Sequence, residues 1–245
     1  MDLAGHTVLI TGGTSGIGFA LAERLLDGGS EVIVCGRRED KLKEIKSKHP
    51  AVRTRSCDVA VASERVALAD WAIREFPMLD VLVNNAGIQR SVDLTKPESW
   101  DDMHPEIAIN FEAQVHLCML FIPHLRTQKR PAIVNITSGL AFVPRAPVPI
   151  YSATKAAFHS FTLSLRHQLS TTPIEVIEIA PPAVNTDLGG PGLHTFGVAL
   201  DEFVDAAVAQ LQNGGTEITY GFSEQAAKAT RAELEQMFTQ MNRGQ

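Results

Sequence analysis

The sequence predicts an α/β protein with a doubly wound, mostly parallel sheet of seven strands and helices on both faces. Short runs rich in β-branched residues alternate with longer stretches in which apolar residues recur every three or four positions. Strands that alternate with helices form right-handed crossovers, which build parallel sheets covered on both faces. No repeat, low-complexity segment or linker interrupts the 245 residues, so we expect a single domain.

The predicted strands are short apolar runs bounded by turn residues. They cover residues 6–11, 31–35, 52–57, 79–84, 131–137, 174–180 and 216–220. The predicted helices fill the intervals, at residues 16–28, 39–48, 62–76, 106–127, 151–170, 201–212 and 223–241. The last helix carries an apolar stripe, which favours packing within the chain over an interface with another chain. The stripe consists of Leu234, Met237, Phe238 and Met241.

Composition and charge exclude several classes of function. A net charge of −6 and the lack of a Lys/Arg cluster argue against a nucleic acid partner. No apolar run reaches the roughly 18 residues of a membrane span, and we expect no signal segment. Cys35, Cys57 and Cys118 are too few and too scattered for a disulfide framework or a zinc site, and the eight histidines lack ligand spacing. We therefore expect a cytoplasmic protein without a bound metal.

A glycine-rich loop follows the first predicted strand. Residues 11–18 read TGGTSGIG and lead into the helix-period run FALAERLL. Glycines let the backbone turn tightly and approach a pyrophosphate closely, while the amides at the start of the next helix face the anion. A flexible turn is the alternative interpretation. The order of strand, glycine turn, helix and second strand instead favours a dinucleotide-binding Rossmann fold.

Two arginines follow the second predicted strand, where an NAD site usually has an acidic residue for the adenosine ribose. Here Gly36 precedes Arg37 and Arg38, so no carboxylate repels a 2′-phosphate. Two guanidiniums can bind that phosphate through bidentate, charge-assisted hydrogen bonds. The sequence predicts NADP(H) in preference to NAD(H), with two solvated turn arginines as the alternative.

Tyr151 and Lys155 stand four residues apart in the run YSATK. A tyrosine hydroxyl ionises near pH ~10, so it is a poor acid or base at neutral pH unless a fixed cation stabilises its phenolate. Residues i and i+4 of a helix share a face, so Lys155 would hold its ammonium near the phenol. An oxidoreductase that moves a proton together with a hydride needs such a pair. The spacing alone also fits a solvated pair.

The motifs as a set resemble the short-chain dehydrogenase/reductase family. The matching residues are TGGTSGIG, CDV at 57–59, NNAG at 84–87, Asn110, Ser138 and YSATK, in the order and spacing of that family and over nearly the whole chain. The runs HLRTQKRPAIVNITSGLAF and APPAVNTDL are further similar to the DltE-like subgroup, small oxidoreductases encoded beside D-alanyl-lipoteichoic acid genes in Gram-positive bacteria. The function of that subgroup is poorly defined, so this second resemblance implies no substrate.

The resemblance implies catalytic roles for four side chains. Tyr151 would be the general acid in reduction and the base in alcohol oxidation, and Lys155 would lower its pKa and bind the nicotinamide ribose. Ser138 would hold the substrate carbonyl oxygen. Asn110 would join the lysine to a water relay. Without the resemblance, Ser138 fits a turn or cap residue and Asn110 a buried polar residue that satisfies backbone groups.

The resemblance also implies the contacts of the cofactor. Asp58 and Val59 would contact the adenine, the strand end at 85–87 would let the cofactor lie close, and Val184 and Thr186 would orient the carboxamide. The full set is Gly12, Thr14, Ser15, Gly16, Ile17, Gly18, Arg37, Arg38, Asp58, Val59, Asn85, Ala86, Gly87, Tyr151, Lys155, Pro181, Val184 and Thr186.

Two positions depart from the family. Pro182 stands after Pro181 where the family usually has glycine, so a cofactor contact that needs this amide or a positive φ is in doubt. Ser15 stands in the glycine loop where some NADP-dependent relatives have Lys or Arg. Selection of the phosphate would then depend on Arg37 and Arg38 alone.

The family architecture implies a substrate pocket between the loop after Ser138 and the segment after Thr186. Its apolar wall would come from Phe142, Val143, Leu193 and Phe196, and glycines at 189, 190 and 192 would let the second segment close as a lid. Arg145 or His194 would bind a polar group of the substrate, with solvated loop residues as the alternative. We expect a moderately hydrophobic ketone or aldehyde.

The leading hypothesis is therefore an NADPH-dependent carbonyl reductase or alcohol dehydrogenase, with a cofactor-binding half over about residues 1–130 and a catalytic and substrate-binding half over about 131–245. The alternative is a cofactor-binding sensor or partner protein with secondary catalysis. The presence of Ser138, Tyr151 and Lys155 together disfavours this alternative. Nucleotide-sugar epimerases share Tyr-x-x-x-Lys but have an additional substrate region that we do not find. The family implies a homodimer or homotetramer, through the helices over 106–127 and 151–170.

Overall fold

Seven parallel strands form one sheet in the computed structural model, which describes residues 1–190, 192–193 and 195–243. The strands are β1 (Thr7–Thr11), β2 (Glu31–Gly36), β3 (Arg53–Ser56), β4 (Val81–Asn84), β5 (Ala132–Ile136), β6 (Glu175–Ala180) and β7 (Glu217–Thr219). Their order is β3-β2-β1-β4-β5-β6-β7, so the chain runs from β1 to one edge, returns to β4 and continues to the other edge. Every neighbouring pair is parallel, which confirms the doubly wound α/β fold.

Helices cover both faces of the sheet. They are α1 (Gly16–Asp27), α2 (Glu39–Lys48), α3 (Ala62–Glu75), α4 (Trp100–Ile107), α5 (Ala113–Leu125), α6 (Pro149–Gln168), α7 (Leu200–Gln212), α8 (Phe222–Lys228) and α9 (Arg231–Met241). A π-helical segment, Ala108–Glu112, joins α4 to α5, and a 3₁₀ turn, Gly139–Ala141, follows β5. None of the helices described is long and apolar enough to cross a membrane.

Two apolar cores, one on each face, hold the helices to the sheet. Val8 and Ile10 of β1 point to the core under α1, α2 and α7, whereas Leu9 points to the core under α3, α5 and α6. All five residues of β1 are buried, because successive side chains of a strand point to opposite faces and both faces are covered. This arrangement explains the continuously apolar strands in the sequence.

The helix predicted over residues 106–127 begins earlier and is not uniform. α4 begins at Trp100, and Pro105, which the prediction placed just outside the helix, lies within it. The π-helical segment then adds a residue to the turn around Asn110. Such segments in an α-helix frequently occur at functional sites.

The helix predicted over residues 223–241 is two helices, since α8 ends at Lys228 and α9 begins at Arg231. Thr230 accepts a hydrogen bond from the Glu233 amide, while the Glu233 carboxylate accepts one from the Thr230 amide, which is the capping box that starts a helix. The prediction that the apolar stripe of α9 packs as core is wrong. None of its described residues is buried, and Phe238 is 43% exposed.

Candidate active site

A cavity of about 700 Å³ lies where β1, β4, β5 and β6 end. This is the edge of a doubly wound sheet at which the strand order reverses and ligands bind. Eighteen of the twenty predicted site residues line it. They are Gly12, Thr14, Ser15, Gly16, Ile17, Gly18, Arg37, Arg38, Val59, Asn85, Ala86, Gly87, Ser138, Tyr151, Lys155, Pro181, Val184 and Thr186, whereas Asp58 and Asn110 lie outside the lining.

The glycine loop packs directly against the end of β4. Gly12 has φ +65°, and a Cβ there would lie 2.7 Å from the Cα of Ala86. A Cβ at Gly18 would overlap the Nδ2 atom of Asn85. Both positions therefore require glycine, and the close approach leaves the amides at the start of α1 facing the cavity.

Thr11, which the sequence analysis did not assign to the site, ties the loop to β4. Its Oγ1 accepts hydrogen bonds from the amides of Asn85 at 3.0 Å and Ala86 at 3.1 Å. The Asn85 side chain returns to the loop, donating to the carbonyls of Thr11 at 2.9 Å and Gly12 at 3.2 Å. The sequence signal for this role is a polar residue at the end of an apolar strand, directly before the glycines.

The two arginines predicted to bind the 2′-phosphate line the cavity and differ in their contacts. Arg38 reaches back to the glycine loop, where its Nη2 donates to the hydroxyls of Thr14 at 3.1 Å and Ser15 at 2.7 Å. Arg37 is 3.7 Å from the Asp58 carboxylate, and both side chains are partly exposed. Arg38 thus brings a guanidinium to the loop that lacks a basic residue of its own.

Asp58 is held within its own turn. Its amide donates to Glu64 at 2.6 Å, and its carboxylate accepts from the Ala60 amide at 2.9 Å. Its neighbours Cys57 and Val59 line the cavity instead. Of the two residues predicted to contact the adenine, only Val59 therefore lines the cavity.

The phenol and the ammonium of the predicted pair lie on one face of α6, which Pro149 starts with a preset φ. Lys155 Nζ is 5.6 Å from the centroid of the Tyr151 ring and donates to the Ile136 carbonyl at 2.8 Å. Burial raises the pKa of Tyr151 to about 12, although a hydrogen bond with Ser138 opposes the shift. Burial also lowers the pKa of Lys155 to about 8.

Burial raises the pKa of Tyr151 more than the hydrogen bond with Ser138 lowers it, so the buried phenol is a weaker acid than a phenol in water. The expectation that Lys155 lowers this pKa stays a prediction. Ser138 lies at the start of the 3₁₀ turn after β5, where its Oγ accepts from the Leu140 amide at 3.1 Å.

Asn110 holds the backbone that follows β4. Its Oδ1 accepts from the Ile88 amide at 2.9 Å, and its Nδ2 donates to the Ile88 carbonyl at 2.8 Å. A Cβ at Gly87 would lie 3.3 Å from Asn110 Oδ1 and 3.8 Å from Lys155 Nζ, so Asn110 lies close to two residues of the cavity lining. The side chain thus satisfies backbone groups, as the alternative interpretation had it, and does so beside the lysine.

Glu178 of β6, which the sequence analysis missed, is a fully buried carboxylate that contacts the end of β5 and helix α6. It accepts from the Thr137 hydroxyl at 2.6 Å and contacts His159 Nδ1 at 2.9 Å. This contact raises the pKa of His159, and the charge of Glu178 also acts to raise the pKa of Lys155. Its sequence signal is a charged residue at the centre of an apolar strand.

The apolar wall predicted for the substrate pocket is only partly found in the cavity lining. Phe196 lines it, but Phe142 packs on His159 at 4.9 Å between ring centroids, Val143 is buried, and Leu193 is 58% exposed outside the lining. His194 is not among the described residues. Leu140, Leu188, Phe222 and Met241 are further apolar residues of the lining.

The segment after Thr186 has the backbone of a glycine-dependent loop. Gly189, Gly190 and Gly192 all have positive φ, which L residues rarely adopt. Pro182 lines the cavity without a positive φ, and the Pro181 carbonyl accepts from the Gly139 amide at 2.8 Å. Among the residues described, no group of three or more His, Cys, Asp or Glu side chains could hold a metal ion.

Comparison with known sequences identifies the family. A family model described as short chain dehydrogenase matches residues 6–193. The chain is 51% identical over 249 aligned positions to the uncharacterized oxidoreductase DltE of Bacillus subtilis (strain 168), and the match covers 99% of this chain and 98% of the relative. The match confirms both the family resemblance and the narrower resemblance to the DltE-like subgroup.

Solved structures share the fold over most of the chain. A short chain dehydrogenase from Burkholderia cenocepacia J2315 in complex with NADP has a TM-score of 0.85 at 24% identity, covering 98% of this chain and 99% of that chain. A 3-ketoacyl-(acyl-carrier-protein) reductase from Brucella melitensis complexed with NADH has a TM-score of 0.81 at 24% identity, covering 90% and 99%. Since sequence family and sheet topology agree, this chain belongs to the short-chain dehydrogenases, a family of oxidoreductases.

Proposed function

We propose that this protein is an NADPH-dependent carbonyl reductase or alcohol dehydrogenase, which transfers hydride between the nicotinamide and a moderately hydrophobic ketone or aldehyde. The observation that carries this proposal is the meeting of Ser138, Tyr151 and Lys155 in one cavity with the glycine loop. The residues present fit a dinucleotide, because the loop approaches β4 too closely for any side chain at Gly12 or Gly18. When bound, NADPH supplies the hydride.

Tyr151 supplies the proton in the direction of reduction. The phenol is protonated at neutral pH and donates to the carbonyl oxygen as negative charge develops there. Because burial raises its pKa and makes it a weaker acid, this transfer depends on a group that stabilises the phenolate. Ser138 stabilises the same oxygen by donating its hydroxyl hydrogen. Lys155 then stabilises the phenolate, since its ammonium lies on the same face of α6. In alcohol oxidation the phenolate accepts the proton.

The preference for NADPH rests on the adenosine end of the cavity. Arg37 and Arg38 line it, and Arg38 bridges to Thr14 and Ser15 of the glycine loop. The Asp58 carboxylate is 3.7 Å from Arg37, and Arg38 forms no ion pair with a carboxylate among the described residues. Solved relatives hold NADP in one case and NADH in another, so the choice depends on these side chains.

The cofactor proposal predicts the effect of replacing both arginines by alanine. We expect NADPH affinity to fall by about tenfold or more, the loss of charge-assisted bonds to the 2′-phosphate, with NADH affinity unchanged. Calorimetric titration of both nucleotides measures this. Exposed Arg53 and Arg55, on the neighbouring β3 and outside the cavity lining, provide the control pair. Equal weakening of NADPH and NADH would mean that Arg37 and Arg38 do not bind the phosphate.

Tyr151→Phe tests the catalytic proposal. We expect turnover to fall at least about a hundredfold, the usual minimum share of a general acid, while NADPH affinity changes little. The assay is the loss of NADPH absorbance with a panel of aromatic and aliphatic ketones and aldehydes. Retained turnover in the variant would remove Tyr151 from the mechanism. NADPH binding without turnover in the wild-type protein would favour the alternative, a cofactor-binding sensor.

The assembly and location of the protein are further parts of this proposal. We infer a homodimer or homotetramer that packs through α5 and α6, because both helices expose large apolar side chains, Met119 and Leu163. We infer a cytoplasmic location, because the cysteines are odd in number and all three are buried free thiols. We also infer the division of work between the halves at about residue 130, with the glycine loop in one and Ser138, Tyr151 and Lys155 in the other.

A further inference from the structure

The substrate end of the cavity contains one cation that the proposed reaction does not use. Arg145 lies in the loop between Ser138 and Tyr151 and lines the same cavity as both. Its guanidinium lies over the Phe196 ring, 6.0 Å from the centroid, so the two loops that border the pocket meet at this contact. Arg145 is half-buried, and it forms no ion pair within the described part of the chain.

The backbone around Arg145 is held on both sides. The Asn242 side chain, just after α9, accepts from the Ala146 amide at 2.7 Å and donates to the Pro144 carbonyl at 3.2 Å. The Arg145 amide donates to the hydroxyl of Ser152, the residue after Tyr151, at 3.2 Å. Its carbonyl accepts from the Val148 amide at 3.1 Å. These bonds fix the backbone of Arg145 relative to α6, as a binding residue requires.

The charges of the cavity oppose the charge of the protein. The chain has a net charge of −6, yet its cavity is lined by four cationic side chains and one carboxylate. Arg37 and Arg38 belong to the adenosine end and Lys155 to the proton transfer, which leaves Arg145 for the substrate. The carboxylate is Asp187, which is exposed and lies beyond ion-pair distance of Arg145.

The geometry points to a substrate that carries a carboxylate at a distance from its reactive carbonyl, and this inference rests on the function proposed above. A single guanidinium matches a planar carboxylate through two parallel hydrogen bonds. Leu140, Phe222 and Met241 line the same cavity and would contact an apolar body between the two polar ends. The substrate class is thus a moderately hydrophobic keto acid or aldehyde acid, bound with its carboxylate on Arg145.

Matched substrates test this assignment. Aryl ketones with a carboxylate on spacers of different length are compared with their methyl esters, in the wild-type protein and in Arg145→Gln. We expect kcat/KM for the preferred acid to fall about 10- to 100-fold in the variant, the loss of one charge-assisted pair, with the ester unchanged. Arg145→Lys should recover part of the loss, because it keeps the charge without the bidentate geometry.

Arg231→Gln is the control for net charge, because this α9 side chain is 94% exposed. An equal loss for acid and ester in Arg145→Gln, or the same loss in Arg231→Gln, would overturn the assignment. Calorimetric titration of the corresponding hydroxy acids into the NADP⁺ complex tests the Arg145 site separately from the proposed reductase activity. Weaker binding in Arg145→Gln without turnover of any compound would retain Arg145 as the anion site and reject the reductase. Turnover of the ester without preference for the acid would reject Arg145 as the anion site and retain the reductase.

Discussion

Glu178 joins the two elements that carry the side chains proposed to be catalytic. Its carboxylate binds Thr137, the neighbour of Ser138, and His159, one helical turn beyond Lys155 on α6. Burial favours the neutral form of Lys155, and the negative charge of Glu178 opposes that effect. We therefore interpret Glu178 as a positioning residue that also keeps the lysine charged.

Glu178→Gln should shift the pH dependence of catalysis. Removal of the Glu178 charge lowers the pKa of Lys155 from its value of about 8, so the lysine loses its proton at a lower pH. The basic limb of kcat/KM, which reports the free enzyme, should then move down by at least about half a pH unit. Glu175→Gln, on the same strand and only partly buried, is the control. A merely structural role would lower the rate at every pH and leave the limb in place.

At the scale of elements, the segment after β4 is held by successive turns of α4 and the π-helical segment that follows it. The Asp102 carbonyl accepts from the Arg90 guanidinium at 2.6 Å, the Glu106 carboxyl from the Arg90 amide at 3.4 Å, and Asn110 binds Ile88. Burial raises the pKa of Glu106 to about 7, so much of this carboxyl is uncharged at neutral pH. The early start of α4 therefore has a consequence for the site, because it fixes the backbone around Gln89 in the cavity wall.

The end of the chain shows where periodicity fails as a guide. A three- and four-residue apolar spacing predicts a helix, and α9 is one, but spacing does not state what the stripe contacts. The sequence does contain a local signal for the break at Thr230, because Thr-x-x-Glu is the pattern of a capping box that starts a helix. The contact of Asn242 with the loop around Arg145 could not be predicted from the sequence, because Asn242 and Ala146 are 96 residues apart in the chain.

At the scale of the whole molecule, the exposed apolar side chains predict where subunits meet. Met119 of α5 is 65% exposed, on one of the two helices proposed for the interface. Met119→Glu should shift the assembly to smaller species, because burying an unpaired carboxylate in an interface is costly. Sedimentation velocity measures the mass. Met78→Glu, at a position 67% exposed outside these helices, is the control. An unchanged mass for Met119→Glu, or dissociation of Met78→Glu, would place the interface elsewhere.

The sequence by itself determined the alternation of strands and helices, the glycine loop and the Tyr151–Lys155 pair, because each is a pattern of neighbouring residues whose geometry follows from the local backbone. Only the tertiary structure decided which polar groups meet. Thr11 is hydrogen-bonded to Asn85, 74 residues away in the chain, and Thr137 to Glu178, 41 residues away. Both contacts depend on the order of strands in the sheet. The pKa values of Tyr151 and Lys155 depend in the same way on burial, which the packing of the complete chain creates.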